Sequence, residues 1–170
     1  MFWYVVQTLS GRGKEMLGLL RARDTDHVIK ESFVPRRELM RKQKGEWVKY
    51  SDTLFPGYVF VRTDAPGAVN EIAGKLPIFA RVLGSEKGFT PLNDHEELFI
   101  TRVAGPDTHM VKMSTGVIEG DTVTVLQGPL RGYEGFITKI DRHKRLAHLH
   151  MEMLGRLVTI KLGLEIIRKS

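Results

Sequence analysis

The hydrophobic pattern of this chain changes period once, at Gly105-Pro106-Asp107-Thr108-His109, and the two sides permit different folds. Downstream there is no convincing helix. Thr122–Leu126, Gly135–Ile140, Leu146–Leu154 and Leu157–Leu162 read as short strands. They are cut by Gly128-Pro129, by Asp141-Arg142-His143-Lys144-Arg145 and by Gly155-Arg156. Ala147, Leu149, Met151 and Met153 alternate with His148, His150 and Glu152, so one face is buried and the other wet. About five strands at this turn spacing predict a small β-barrel. So small a unit buries little surface and is only modestly stable alone.

Upstream, helical and strand spacings interleave. Phe2–Thr8 is aromatic and β-branched, a buried strand. Ser10 is placed to cap a helix carrying Met16, Leu17 and Leu20 on one face. Ser32–Glu38 returns to strand, and Lys44-Gly45-Glu46 reads as a hairpin tip whose second arm starts at Trp47. After the strand Val59–Val61, Asp64 as cap and Pro66 in the first turn predict a helix burying Val69, Ile72, Ala73 and Leu76. A short strand over Phe79–Leu83 and a helix with the capping box Asn93/Glu96, burying Phe99 and Val103, complete the region. The expectation is an α+β protein: a sandwich with three helices over 1–104, a linker over 105–116 and the barrel over 117–170.

Composition narrows the function. At 42% hydrophobic and 27% charged, the 170 residues support a real core. Cys is absent, which excludes disulfides, thiolate metal sites and a Cys nucleophile. The start, Met-Phe-Trp-Tyr-Val-Val, has no basic region of the signal-peptide kind, and no apolar run reaches membrane-helix length. A soluble intracellular protein is expected. Ser10-Gly11-Arg12-Gly13-Lys14-Glu15 fails the phosphate-loop pattern at Thr8 and Glu15, and Met16 occupies the third glycine of the dinucleotide pattern. His148, His150 and Glu152 share a strand face, but no second ligand cluster accompanies them, so no metal is expected. No nucleophile or zinc-protease motif occurs, and nothing argues for an enzyme or a cofactor.

The net charge of +6 favours polyanionic partners, and residues 117–170 are the more densely basic part. Arg142-His143-Lys144-Arg145 crowd like charges onto a hairpin tip, which suits phosphate contacts, with Arg131, Lys139 and Arg156 extending the positive surface. A merely solvated loop is the competing reading. The hairpin around 36–49 is basic too, diluted by Glu38 and Glu46. Leu54-Phe55-Pro56-Gly57-Tyr58 reads on physical grounds as a strand entry with a tight turn and core aromatics. Trp3 and Tyr4 beside these rings would leave a shallow apolar groove.

These segments resemble the bacterial NusG family of transcription elongation factors over essentially the whole chain. Trp3-Tyr4-Val5-Val6 and Phe55-Pro56-Gly57-Tyr58-Val59 are similar to the hallmarks of its N-terminal (NGN) domain. Gly120-Asp121-x-Val, Gly128-Pro129-Leu130-x-Gly132-x-x-Gly135, Ile140-Asp141 and Leu154-Gly155-Arg156 look like its KOW barrel. The run Gly128-Pro129-Leu130-Arg131-Gly132-x-Glu134-Gly135, with the Arg142–Arg145 loop, is most similar to the LoaP group of specialised antiterminator paralogues.

The resemblance implies a non-catalytic monomer that docks on the β′ clamp helices of RNA polymerase and disfavours pausing. By position, Trp3, Tyr4, Phe55, Pro56 and Tyr58, with Phe79 and Val82, match the docking surface. Arg36, Arg37, Arg41 and Lys42 would lie near upstream or non-template DNA. The KOW domain would hold a nascent RNA hairpin through Arg131, Lys139, Arg142, His143, Lys144, Arg145 and Arg156, giving processive antitermination on selected operons. Two alternatives follow from the same resemblance. One is a general NusG factor whose KOW domain contacts Rho or ribosomal protein S10 through Leu154. The other is a KOW-type RNA-binding protein that does not act on polymerase. A cytoplasmic location, with no membrane partner, goes with all three.

Overall fold

A computed structural model describes residues 1–105 and 107–169, so Pro106 of the expected linker and Ser170 lie outside the described residues. The elements begin with β1 (Phe2–Gln7), α1 (Gly13–Arg23), β2 (Glu31–Phe33), β3 (Arg36–Gln43), β4 (Glu46–Thr53), β5 (Tyr58–Thr63) and α2 (Pro66–Gly74). There follow β6 (Arg81–Val82), β7 (Gly84–Ser85), β8 (Gly88–Phe89) and α3 (Asp94–Val103). The rest is strand: β9 (Met110–Val111), β10 (Ser114–Glu119), β11 (Thr122–Gln127), β12 (Ile137–Asp141), β13 (Leu146–Met153) and β14 (Arg156–Lys169), with a 3-10 turn at Glu134–Phe136. The fold is α+β as expected, with three α-helices among the described residues and sheet predominating.

The chain forms two compact units. The first joins Met1–Pro35 to Phe55–Glu97, and the second joins Arg36–Leu54 to everything from Leu98 onward. In the first unit the antiparallel sheet runs β2-β5-β1-β6. β1 is buried on both faces, the physical meaning of its unbroken apolar run. Tyr4 and Val6 join Val59 and Val61 against Met16 and Leu20 of α1 and Val69 and Ala73 of α2. On the opposite side the Trp3 ring meets Phe33 edge-on at 5.2 Å, and Phe33 stacks on Phe60 at 5.7 Å.

Two expected caps are replaced. α1 starts at Gly13, and Ser10 does not cap it; the Arg12 side chain instead reaches Glu15 at 2.8 Å. α2 starts after Ala65, and Asp64 pairs with the N-terminal amine at 3.5 Å while Thr63 Oγ1 accepts the Ala65 N–H. The capping box is as predicted: Asn93 Oδ1 accepts the Glu96 N–H at 2.9 Å, and Glu96 Oε1 accepts the Asn93 N–H at 2.8 Å.

In the second unit, β3 and β4 pair from Arg36↔Thr53 to Gln43↔Glu46 around a two-residue turn. Lys44 (φ 53°) and Gly45 (φ 83°) both sit in the left-handed region, as a type I′ hairpin requires. The five-stranded sheet has the order β11-β10-β14-β13-β12. Ala147, Leu149, Met151 and Met153 are buried, matching the alternation in the sequence. Within 105–116, β9 pairs in parallel with β3, Arg36↔Met110 and Arg37↔Val111, and β10 begins at Ser114. Buried Ser114 accepts the Leu130 N–H at 3.1 Å and holds the Gly128-Pro129 turn, a support the sequence pattern does not announce.

Candidate functional site

In the first unit, Phe55-Pro56-Gly57-Tyr58 forms a tight turn. Tyr58 N–H donates to the Phe55 carbonyl at 3.1 Å, Pro56 sets the first central φ, and Gly57 takes φ 81° at the second. That is type II turn chemistry. Thr8 locks it in place. Its N–H donates to the Gly57 carbonyl at 2.7 Å, and its hydroxyl donates to the Phe79 carbonyl at 2.6 Å. One buried threonine therefore sets the turn and Phe79 side by side.

The expected docking residues split by exposure. Phe79 is 52% exposed, neighbouring Leu9 is 53% exposed, Pro56 is exposed and Tyr58 is half-buried against the Phe55 ring. Trp3, Tyr4, Phe55 and Val82 are buried, and Trp3 and Tyr4 point to opposite faces of β1. The three aromatics and Val82 thus lie beneath the surface rather than form it. Thr8, which holds this edge, and exposed Leu9 after it are not singled out by the sequence reading. The only available signal was their position at the end of a buried strand.

In the second unit, basic residues of the hairpin and of the β12–β13 loop line one cleft of about 1020 Å³. Arg37 is tied down: its guanidinium meets Asp52 at 2.7 Å and donates to the Lys161 carbonyl at 2.6 Å. Arg36 is likewise engaged, donating to the Ser51 carbonyl and hydroxyl at 3.1 Å, and lies outside the cleft lining. Arg41 lies over Tyr50 at 4.8 Å and Lys42 over Trp47 at 5.6 Å, and both are exposed. Arg145 stands 3.9 Å over Trp47, pairs with Glu165 at 3.4 Å and donates to Met40 Sδ at 3.5 Å.

Of the expected RNA-binding residues, Arg142, His143, Lys144 and Arg145 line this cleft. Arg142, His143 and Lys144 are exposed, whereas Arg145 is committed to Trp47 and Glu165. Arg131, Lys139 and Arg156 are exposed but are not part of the lining. Leu154 holds φ 53° in the β13–β14 turn, near Leu157, which is 69% exposed.

Electrostatics shape the loop. The Lys144 backbone N–H donates to Asp141 at 3.0 Å, which holds the Asp141 carboxyl below its ordinary range, with Lys144 and Lys139 adding to the effect. Asp141 therefore favours the folded loop above its unfolded value of 3.8 and loses that contribution as pH falls through the folded value. His148 is held below its ordinary 6.5 by burial first, then by Lys161 and Lys139. It is neutral at neutral pH, and the stability it lends disappears as pH drops below 6.5. A proton NMR titration is expected to give His148 a midpoint below 6.5; a midpoint above that value would contradict the cause assigned.

No group of three ligating side chains suits a metal among the described residues. None of their helices is long and apolar enough to cross a membrane.

Comparison with known proteins gives the family and agrees with the fold. A family model described as "Transcription termination factor nusG" matches residues 1–100, and a KOW motif model matches residues 119–152. The Transcription termination/antitermination protein NusG of Helicobacter pylori (strain ATCC 700392 / 26695) is 26% identical over 167 residues, spanning 95% of this chain and 94% of its own. The protein of the same name from Pseudomonas aeruginosa PAO1 is 25% identical over 172 residues, spanning 98% and 97%. A solved structure titled "Domain interaction in Thermotoga maritima NusG" matches in fold with a TM-score of 0.54 at 24% identity, covering 95% of this chain and 93% of that one. Since the first model spans more than half of the sequence and the KOW motif follows it in order, this chain belongs to the NusG family, whose members are transcription factors and not enzymes.

Proposed function

We propose that this protein is a cytoplasmic, monomeric antiterminator acting on selected operons, with a polymerase-binding module over 1–104 and an RNA-binding module over 117–170, joined by 105–116. Interaction with RNA polymerase is the family's known activity, and the exposed Pro56 and Phe79 with half-buried Tyr58 support docking on the β′ clamp helices. The single observation that carries the RNA reading is the loop at 142–144: three consecutive exposed basic side chains, held in a turn by Asp141. Phosphates relieve the repulsion among them, and each contact releases counterions. A nascent leader hairpin presents such phosphates beside unpaired loop bases.

Run-off transcription with purified polymerase tests the reading. Full-length transcript past a terminator is expected to rise on templates whose leader encodes a recognised hairpin and to stay unchanged on templates without one. An equal effect on every template would favour a general factor. For that second reading the supporting observation is Leu157, 69% exposed three residues after Leu154 at the start of β14, a position suited to a protein such as Rho or ribosomal protein S10. Leu157→Ser would then abolish the effect on Rho-dependent termination, whereas under the antiterminator reading it leaves leader-dependent readthrough intact.

A further inference from the structure

We infer that the β3–β4 hairpin and the β12–β13 loop form one site for a single RNA strand, gripped by Arg41 and Lys42 from the hairpin and by Arg142 and Lys144 from the loop. This rests on the RNA-binding reading above and extends it. The hairpin, which the family resemblance assigns to DNA, becomes half of the RNA site.

Three observations carry the inference. All four cations line the same cleft, and none of them makes an ion pair with a carboxylate among the described residues. The only acidic side chain in the lining, Glu165, is already paired with Arg145. The cleft therefore holds uncompensated positive charge drawn from two segments about a hundred residues apart, which polyanion binding neutralises.

Two aromatic side chains belong to the lining, each with a cation over its ring: Arg41 over Tyr50, and Lys42 and Arg145 over Trp47. Trp47 and Tyr50 are half-buried there, with Arg145 fixed 3.9 Å over the Trp47 ring by Glu165 and Met40. Guanidinium planes backed by rings suit stacking by unpaired bases, whereas a duplex keeps its bases enclosed. Single-stranded RNA fits both features, the uncompensated cations and the ring-backed guanidinium planes.

The test uses the full chain and a fluorescein-labelled oligouridylate, with affinity measured by anisotropy across a potassium chloride series. Arg41→Gln/Lys42→Gln and Arg142→Gln/Lys144→Gln are each expected to weaken binding about tenfold at low salt and to reduce the salt slope by about 1.4. The four-fold variant should lose about twice that slope, at an unchanged melting temperature because these side chains are exposed. If the hairpin pair binds like the wild type while the loop pair is weakened, the shared site is overturned and the loop-only RNA reading stands. If neither pair changes binding, both readings fall. A hairpin pair that weakens duplex DNA binding alone also overturns the shared site.

Discussion

Gly57→Ala is expected to destabilise the first unit by about 3 kcal/mol and to remove most polymerase binding. Two costs combine. At φ 81° any side chain is strained, and an added Cβ would stand 2.6 Å from the Thr8 carbonyl oxygen, closer than such atoms approach. That backbone does not yield cheaply. The Thr8 backbone follows directly on the central strand β1 and is hydrogen-bonded to Gly57 itself, while its hydroxyl donates to the Phe79 carbonyl. Relief of the clash must open the turn and shift Pro56, Tyr58 and Phe79 together. Urea denaturation monitored by Trp3 fluorescence, with Trp47→Phe in every protein compared, reads the stability of the first unit, and co-purification with polymerase core enzyme reads the docking. Gly11→Ala is the control, since it shares a positive φ of 85° but has open space around it and should cost only about 1 kcal/mol. Equal losses for the two variants would mean that the contact with Thr8 does not matter.

The same turn marks how far the sequence could be read. Local chemistry was legible wherever one segment decided its own shape. Examples are the Lys44-Gly45 turn, the Asn93/Glu96 box and the alternation in β13, because turn type, capping and strand period act over a few residues. Ser10 and Asp64 show the limit. Both have cap chemistry, yet the helices begin elsewhere, and Asp64 is drawn to the N-terminal amine. What the pattern hid was long-range. Thr8 reaches Phe79, Ser114 reaches Leu130, and Arg145 finds Trp47, and no periodicity links such positions. The two basic segments accordingly looked like separate sites, one for each kind of nucleic acid. The aromatic hallmarks lead to the family, but a residue's type does not say which face of a doubly buried strand it joins.

That distinction separates two substitutions that the sequence would treat alike. Trp3→Ala is expected to cost about 4 kcal/mol of stability, because a 5% exposed ring packed on Phe33 leaves a cavity that a buried strand closes poorly. Phe79→Ala should leave the melting temperature nearly unchanged, since the ring is 52% exposed and its backbone carbonyl, which binds Thr8, is retained. Its effect falls on binding: loss of about 2 kcal/mol, or about thirtyfold in polymerase affinity, is the size expected when an aromatic anchor leaves an interface centre. Differential scanning fluorimetry beside a titration of polymerase core enzyme separates the two. Weak binding by Phe79→Ala at wild-type stability would place the docking surface at the Thr8-held edge. Wild-type binding by Phe79→Ala would remove Phe79 from that surface and leave exposed Pro56 and half-buried Tyr58 as its members.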